Sequence, residues 1–217
     1  MPATYHNRIE RAYGPDCVFA VVNWKHFLSH LDDNHAIVTG TLEEVETPYG
    51  VGLRVARANS YLAINWDGFA PILNAEHTIF CRFFLPSIAG QYGLISWGIA
   101  GGHDARFISS ASGTFRGGFA GDTDQGGSHL ANNWNTIANV NQGVNGGDNI
   151  IYGKGVPVAN GTNGVNSTTY STLYLFTYIN VSYHAIIGTI LQEVIIFNTV
   201  RPAADILYLH NKGIGAT

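Results

Sequence analysis

The sequence is short of charge. Asp, Glu, Lys and Arg make up 12% of its 217 residues, roughly half the 25% typical of globular chains. The net charge is −4, and the eleven Lys and Arg are scattered, with no cluster beyond Arg8 to Arg11. A nucleic-acid binder needs a basic face to neutralise phosphates, so no nucleic-acid partner is expected. No apolar run reaches the ~18 residues of a membrane-spanning helix, and the polar start over residues 1–11 is no secretion signal; no membrane partner is expected. Cysteine is scarce as well. Cys17 and Cys81 lie far apart in sequence, and without export both are expected to be reduced and buried, with a disulfide left open. The sequons at Asn160, Asn166 and Asn180 mean little under the same expectation. There is no Gly-x-Ser-x-Gly elbow for a serine hydrolase, no phosphate-binding Gly-x4-Gly-Lys motif and no repeat of fixed period.

What the chain does have is a hydrophobic share of 46%, enough for a sizeable core, and a polar complement of Asn, Ser, Thr, Gly and His. Such a thin charge coat suits a subunit packed in an assembly, or a surface that meets neutral, hydroxyl-rich ligands. The most informative stretch runs from Gly188 to Pro202. Ile190, Val194 and Ile196 fall on one parity, and Leu191, Ile195 and Phe197 on the other. Apolar residues on both faces mark a central strand. Pro202 stops the ladder, and residues 203–213 read as a short helical turn with a glycine stop.

Upstream, residues 1–16 read as an N-terminal arm and 17–217 as one domain. Strands are expected at 17–22, 36–45, 50–56, 60–64, 77–85, 92–99, 105–109, 114–120, 134–140, 150–159 and 171–179. Asn23 to Asn34 reads as a helical turn or structured loop, and 101–127 as a glycine-rich stretch. Many short strands with turn signals between them indicate an all-β, two-sheet antiparallel sandwich with a short C-terminal helical turn.

Five segments, in order, resemble a laminin-G-like domain of the concanavalin A-like lectin and glucanase superfamily, a jelly roll. They are Tyr49 to Val55 with Tyr61 to Ile64, His77 to Phe83, Trp134 to Ala138, Ile151 to Val156, and Gly188 to Phe197 with Arg201 to Ile206. The resemblance covers about residues 36–213. Two departures stand out: Lys154 replaces the family's turn aspartate, and 101–127 has no counterpart. The resemblance implies a binding or structural module more than an enzyme, and Trp97 and Trp134 as core or rim aromatics.

Candidate sites follow from residue chemistry. Glucanases of this fold carry acids in an E-x-D-x-E pattern, since two carboxyl groups must flank one bond about 5 Å apart. Glu44 and Glu46 share parity, but Val45 stands in the middle position, so a solvated strand end is expected and no catalytic residue is assigned. Asp122 and Asp124 alternate like the start of a calcium loop; they are the candidate metal ligands, with calcium the one candidate cofactor. His26 and His30 are spaced as zinc ligands can be, with His35 nearby, but no third ligand is evident. Asn133, Trp134 and Asn135 combine an aromatic ring with amides and are the candidate glycan-binding residues; Trp66 and Asp67 offer the same residue types.

The functional expectation is a non-enzymatic structural or adhesion subunit. Free-standing laminin-G-like chains of this length resemble bacteriophage virion proteins, so a virion location is expected. The partners would be further copies of the chain, as a trimer for instance, and a capsid or tail protein. The alternative is a carbohydrate-binding, lectin-like module whose partner is a glycan.

Overall fold

The computed structural model describes residues 14–25, 36–65, 75–98, 105–119, 123–143, 148–162, 172–178 and 183–212. The arm over 1–16 therefore lies mostly outside the described residues, as does most of the helical turn expected over 23–34. The strands are β1 (Cys17–Val21), β2 (Ala36–Thr39), β3 (Leu42–Thr47), β4 (Gly50–Val55), β5 (Tyr61–Asn65), β6 (His77–Leu85), β7 (Gln91–Gly98), β8 (Ala105–Ala111) and β9 (Thr114–Phe119). They continue as β10 (Thr123–Gly126), β11 (Asn133–Asn141), β12 (Asp148–Gly153), β13 (Val156–Thr162), β14 (Thr172–Leu175), β15 (Thr177–Tyr178), β16 (Tyr183–His184) and β17 (Ile190–Phe197). Helix α1 (Ala203–Lys212) follows.

Two antiparallel sheets face each other, as the strand pattern predicts. Sheet A runs β13-β12-β11-β6-β17-β4-β3, with β1 also paired to β17; sheet B runs β10-β9-β8-β7-β14-β5-β2. Strand β17 is central: it pairs β6 on one side and β4 and β1, end to end, on the other. Its register shifts between Leu191 and Glu193. This bulge corrects the parity reading. Leu191, Val194 and Ile196 join the inter-sheet core, while Ile195 and Phe197 face the outer layer under α1 with Ile206 and Leu209. Both faces of β17 are buried, but one inserted residue moves the first two positions to the other side.

Two further corrections concern strand ends. The stretch 36–45 is not one strand. It breaks at Gly40, whose φ is +76° and whose added Cβ would collide with Ser60. The chain passes there from β2 in sheet B to β3 in sheet A, and Thr41 N donates to Ser60 Oγ at 2.8 Å. The stretch 150–159 is likewise two strands, joined at Lys154-Gly155 with φ of +53° and +81°. Lysine in place of the resembled family's aspartate still makes the turn. Both cysteines are buried and unpaired. Cys17 belongs to the layer under α1 and Cys81 to the inter-sheet core, so they sit on opposite sides of sheet A. Burial pushes the Cys17 thiol up to about 12.

One charged pair is buried in sheet A. Arg82 Nε donates to Glu193 Oε2 at 2.8 Å, and the two side chains are 4% and 0% exposed. The same guanidinium donates through Nη2 to the carbonyls of Leu209 and His210. It thereby caps the last turn of α1, where a cation also meets the negative end of the helix dipole. Thr136 Oγ1 lies 2.8 Å from His210 Nδ1, and burial, followed by the nearby Arg82 and Lys154, holds His210 below its ordinary range. A neutral imidazole can accept the threonine hydroxyl there.

Removing one partner leaves the other charge buried without compensation. Glu193→Ala is expected to destabilise the fold by about 3–5 kcal/mol in equilibrium urea unfolding. The double replacement Arg82→Met with Glu193→Leu is expected to recover most of that loss. A single variant as stable as the parent would contradict the structural role.

His129 supplies a pH dependence. It is 2% exposed, lies between the rings of Phe83 and Phe115, and its Nε2 is 2.7 Å from Ser110 Oγ. Burial, and to a lesser extent Lys154, pushes it from 6.5 down to about 4. The unfolded chain therefore binds this proton first. The stabilisation is complete above pH 6.5 and is lost as pH falls toward 4, on the order of 3 kcal/mol in total. Urea midpoints measured from pH 7 to 4 should fall on that limb, and His129→Gln should flatten it.

Candidate functional site

Strand alternation decides which residues sheet B presents outward. Leu62 and Ile64 of β5 and Leu173 and Leu175 of β14 belong to the inter-sheet core. Their neighbours Tyr61, Ala63, Asn65, Thr172 and Tyr174 therefore point to the other face. The register places Ile37 of β2 beside Ala63, Ala63 beside Tyr174, and Tyr174 beside Ser96 of β7. Tyr61 and Tyr174 are half-buried with ring centres 6.3 Å apart, while Ile37 is 63% exposed at the sheet edge.

Among the described elements, the hairpin β15–β16 packs on this face. Three features set it there. Phe176 takes φ +66° although it is an aromatic residue with no exposed surface, a conformation that costs energy and needs the surroundings to enforce it. Its N–H donates to Leu94 O, and its carbonyl accepts from Ala185 N. The kink lifts the chain out of β14. Next, residues 177 and 178 cross directly over Gly93 of β7: a Cβ at Gly93 would lie 2.1 Å from Tyr178 N. Finally, Ser96 Oγ donates to Thr177 O at 3.0 Å. The hairpin is thus a ridge fixed across the sheet.

The ridge adds aromatic rings to the face. His184 stacks on Tyr61 with ring centres 5.8 Å apart and planes 19° apart. Tyr178 and Tyr183 pair edge to face at 5.6 Å, and Tyr183 is 44% exposed. Burial raises the Tyr178 phenol, and its proximity to Arg116 acts the other way. The phenol stays protonated at neutral pH and keeps its donor. The result is a platform of tyrosine rings with hydroxyls and amides at its margins and the Arg116 cation near Tyr178. It suits a ligand with one apolar and one hydrogen-bonding side.

The residues expected to bind glycan do not converge. Trp134 points outward from sheet A, where it meets Tyr49 edge-on at 5.5 Å and Phe84 at 5.8 Å. Tyr49 in turn lies under the Arg82 guanidinium at 4.4 Å. Trp134 is thus a half-buried rim residue beside the ion pair, as the resemblance implied for it, while Trp97 is core. Asn133 and Asn135 have the opposite parity: Asn133 is exposed, and Asn135 is buried with its amide donating to Leu130 O and Asn133 O. The odd spacing separates the ring from both amides.

Asp122 and the side chain of Asp124 lie outside the described residues, as do His26, His30, His35, Trp66 and Asp67. Among the described residues, no group of three His, Cys, Asp or Glu is placed to share a metal ion. Glu44 and Glu46 share a side of the edge strand β3, opposite Leu53 and Val51. Tyr61, Tyr174 and the hairpin tyrosines were not among the expected site residues. Their signal was the alternation Tyr61-Leu62-Ala63-Ile64-Asn65, which sends a tyrosine and an asparagine to one face and only aliphatics to the other.

No protein-family model and no curated protein matches this sequence. Solved structures do match. Domain 4 of a GH43 extracellular arabinanase from Geobacillus stearothermophilus, in complex with arabinotriose, is 15% identical with a TM-score of 0.66, covering 90% of this chain and 98% of that one. The binding domain of botulinum neurotoxin DC, in complex with SialylT, is 12% identical with a TM-score of 0.65, over 91% of this chain and 52% of that one. A Trypanosoma rangeli sialidase in complex with the inhibitor DANA is 17% identical with a TM-score of 0.60, over 81% of this chain and 29% of that one. This chain thus spans under a third of the sialidase and about half of the neurotoxin domain. At these identities the likeness establishes the fold alone, a two-sheet antiparallel β-sandwich.

Proposed function

We propose that this chain is a non-catalytic, glycan-binding domain whose ligand stacks on the tyrosine face of sheet B. The observation that carries the reading is the pair Tyr61 and Tyr174, diagonal neighbours on adjacent strands of a face that only the hairpin β15–β16 covers among the described elements. A sugar ring has an apolar C–H face and an equatorial rim of hydroxyls. The tyrosine rings match the first, and the tyrosine hydroxyls, Asn65 and His184 match the second. The arabinotriose- and sialyl-bound neighbours support this reading over that of a virion subunit. Glycosidase chemistry would need two carboxyl groups across one bond; Glu44 and Glu46 lie on the edge of the other sheet.

Calorimetric titration with glycans selected from an array tests the reading. Tyr61→Ala and Tyr174→Ala are each expected to weaken binding about tenfold or more, near 1.4 kcal/mol. Trp134→Ala should lower stability and leave affinity intact. Absence of any glycan ligand, or an affinity lost only with Trp134, would refute the assignment.

A second reading keeps the chain as an assembly subunit of a bacteriophage virion. One observation favours it: edge strand β2 is uncharged, with Ile37 63% and Val38 40% exposed, whereas native edges are usually blunted by charge. Edge β3 carries three glutamates. The subunit reading expects a stable oligomer in light scattering that Val38→Lys dissociates, and a monomeric parent protein would count against it.

A further inference from the structure

We infer that the tyrosine face receives the end of a neutral glycan, one or two terminal units, and not an internal stretch of a long chain. The inference rests on the glycan-binding reading above. It follows from where the hairpin stands. Strands β2, β5 and β14 are adjacent, and β7 comes next. At a strand spacing of about 4.8 Å, the part of the face from β2 to β14 that no described element crosses is about 10 Å wide, room for one or two sugar rings. At β7 the ridge closes it.

The ridge is built to stay. Its backbone rests on Gly93 with no space for a Cβ, Ser96 holds Thr177, and the left-handed Phe176 is pinned by hydrogen bonds to Leu94 and Ala185. Strained conformations of this kind persist where the surroundings over-determine them, and they cluster at ligand clamps. His184, flat against Tyr61, closes a second side at the foot of the ridge. Among the described residues the side at β2 remains, where Ile37 is exposed at the sheet edge. A chain laid across the strands would meet the wall after its first units. A chain end would fit with its last ring on Tyr61 and Tyr174 and the rest leaving over β2. Among the described residues, those from β2 to β14 on this face (Ile37, Tyr61, Ala63, Asn65, Thr172 and Tyr174) are all uncharged, and Arg116, near Tyr178, belongs to β9 on the far side of β7, so a neutral sugar suits that part of the face.

The test is a length series. Arabino-, gluco- and galacto-oligosaccharides of one to six units are titrated into the intact chain, each with free ends and with either terminus blocked as its methyl ether. For whichever series binds, affinity should level off by the disaccharide, and the hexamer should bind within about twofold of it. Blocking one terminus should lower affinity about tenfold or more, near 1.4 kcal/mol, and blocking the other should leave it unchanged. Affinity that climbs about tenfold between two and six units, or that tolerates blocking at both ends, overturns the terminal-unit inference while the glycan-binding reading stands. No binding by any oligosaccharide overturns both.

Discussion

The buried pair of Arg82 and Glu193 ties the parts of sheet A together. It joins the two central strands, β6 and β17, at a point where neither side chain reaches water. A buried charge is tolerable only when it is paired and its remaining donors are satisfied. Arg82 meets that condition by reaching the last carbonyls of α1 and by lying on the Tyr49 ring. One guanidinium thus fixes the strand register, the docking of the helix and the position of the aromatic rim that includes Trp134. The adjacent bulge at Gln192 belongs to the same arrangement. Gln192 donates to Val22 O and Tyr49 O, and its carbonyl accepts from Trp24 Nε1.

Helix α1 covers part of the outer side of sheet A through Ile206 and Leu209, whereas among the described elements only a hairpin lies on the outer side of sheet B. The division has a physical cause. The outer side of sheet A carries apolar residues such as Phe80, Ala138, Val140 and Ile195, which must be covered. The outer side of sheet B carries tyrosines and small polar residues, which tolerate water. Only the short hairpin β15–β16 crosses it among the described elements, at a cost in backbone strain at Phe176. The kink turns Phe176 into the inter-sheet core beside Leu175, where plain alternation would send it outward. At the surface it also raises the hairpin beside two tyrosines.

Much of the fold was legible in the residues. β17 is apolar on both parities and turned out central; His77 to Leu85 is long and apolar and pairs beside it; Pro202 and the residues after it gave α1. What alternation could not show was where the chain breaks register. The bulge at Gln192 shifts Ile190 and Leu191 by one place, and Gly40 turns one apparent strand into two that lie in different sheets. Those events are fixed by contacts with Tyr49, Val22 and Ser60, distant in sequence. The proposed site was less legible. Trp134 drew attention as a large aromatic beside amides, yet odd and even positions point apart on a strand, so its neighbours could not join it. Tyr61 and Tyr174 lie more than a hundred residues apart, and only sheet pairing brings them together.

The central claim is that glycan binds on the outer face of sheet B. Amide chemical-shift mapping, with labelled protein titrated by a glycan that binds it, locates the ligand directly. The account predicts shifts concentrated in β5, β14 and β15–β16, with Trp134 and Phe84 undisturbed. Shifts centred on Trp134, Phe84 and Tyr49 instead would place the ligand on the opposite sheet and contradict it.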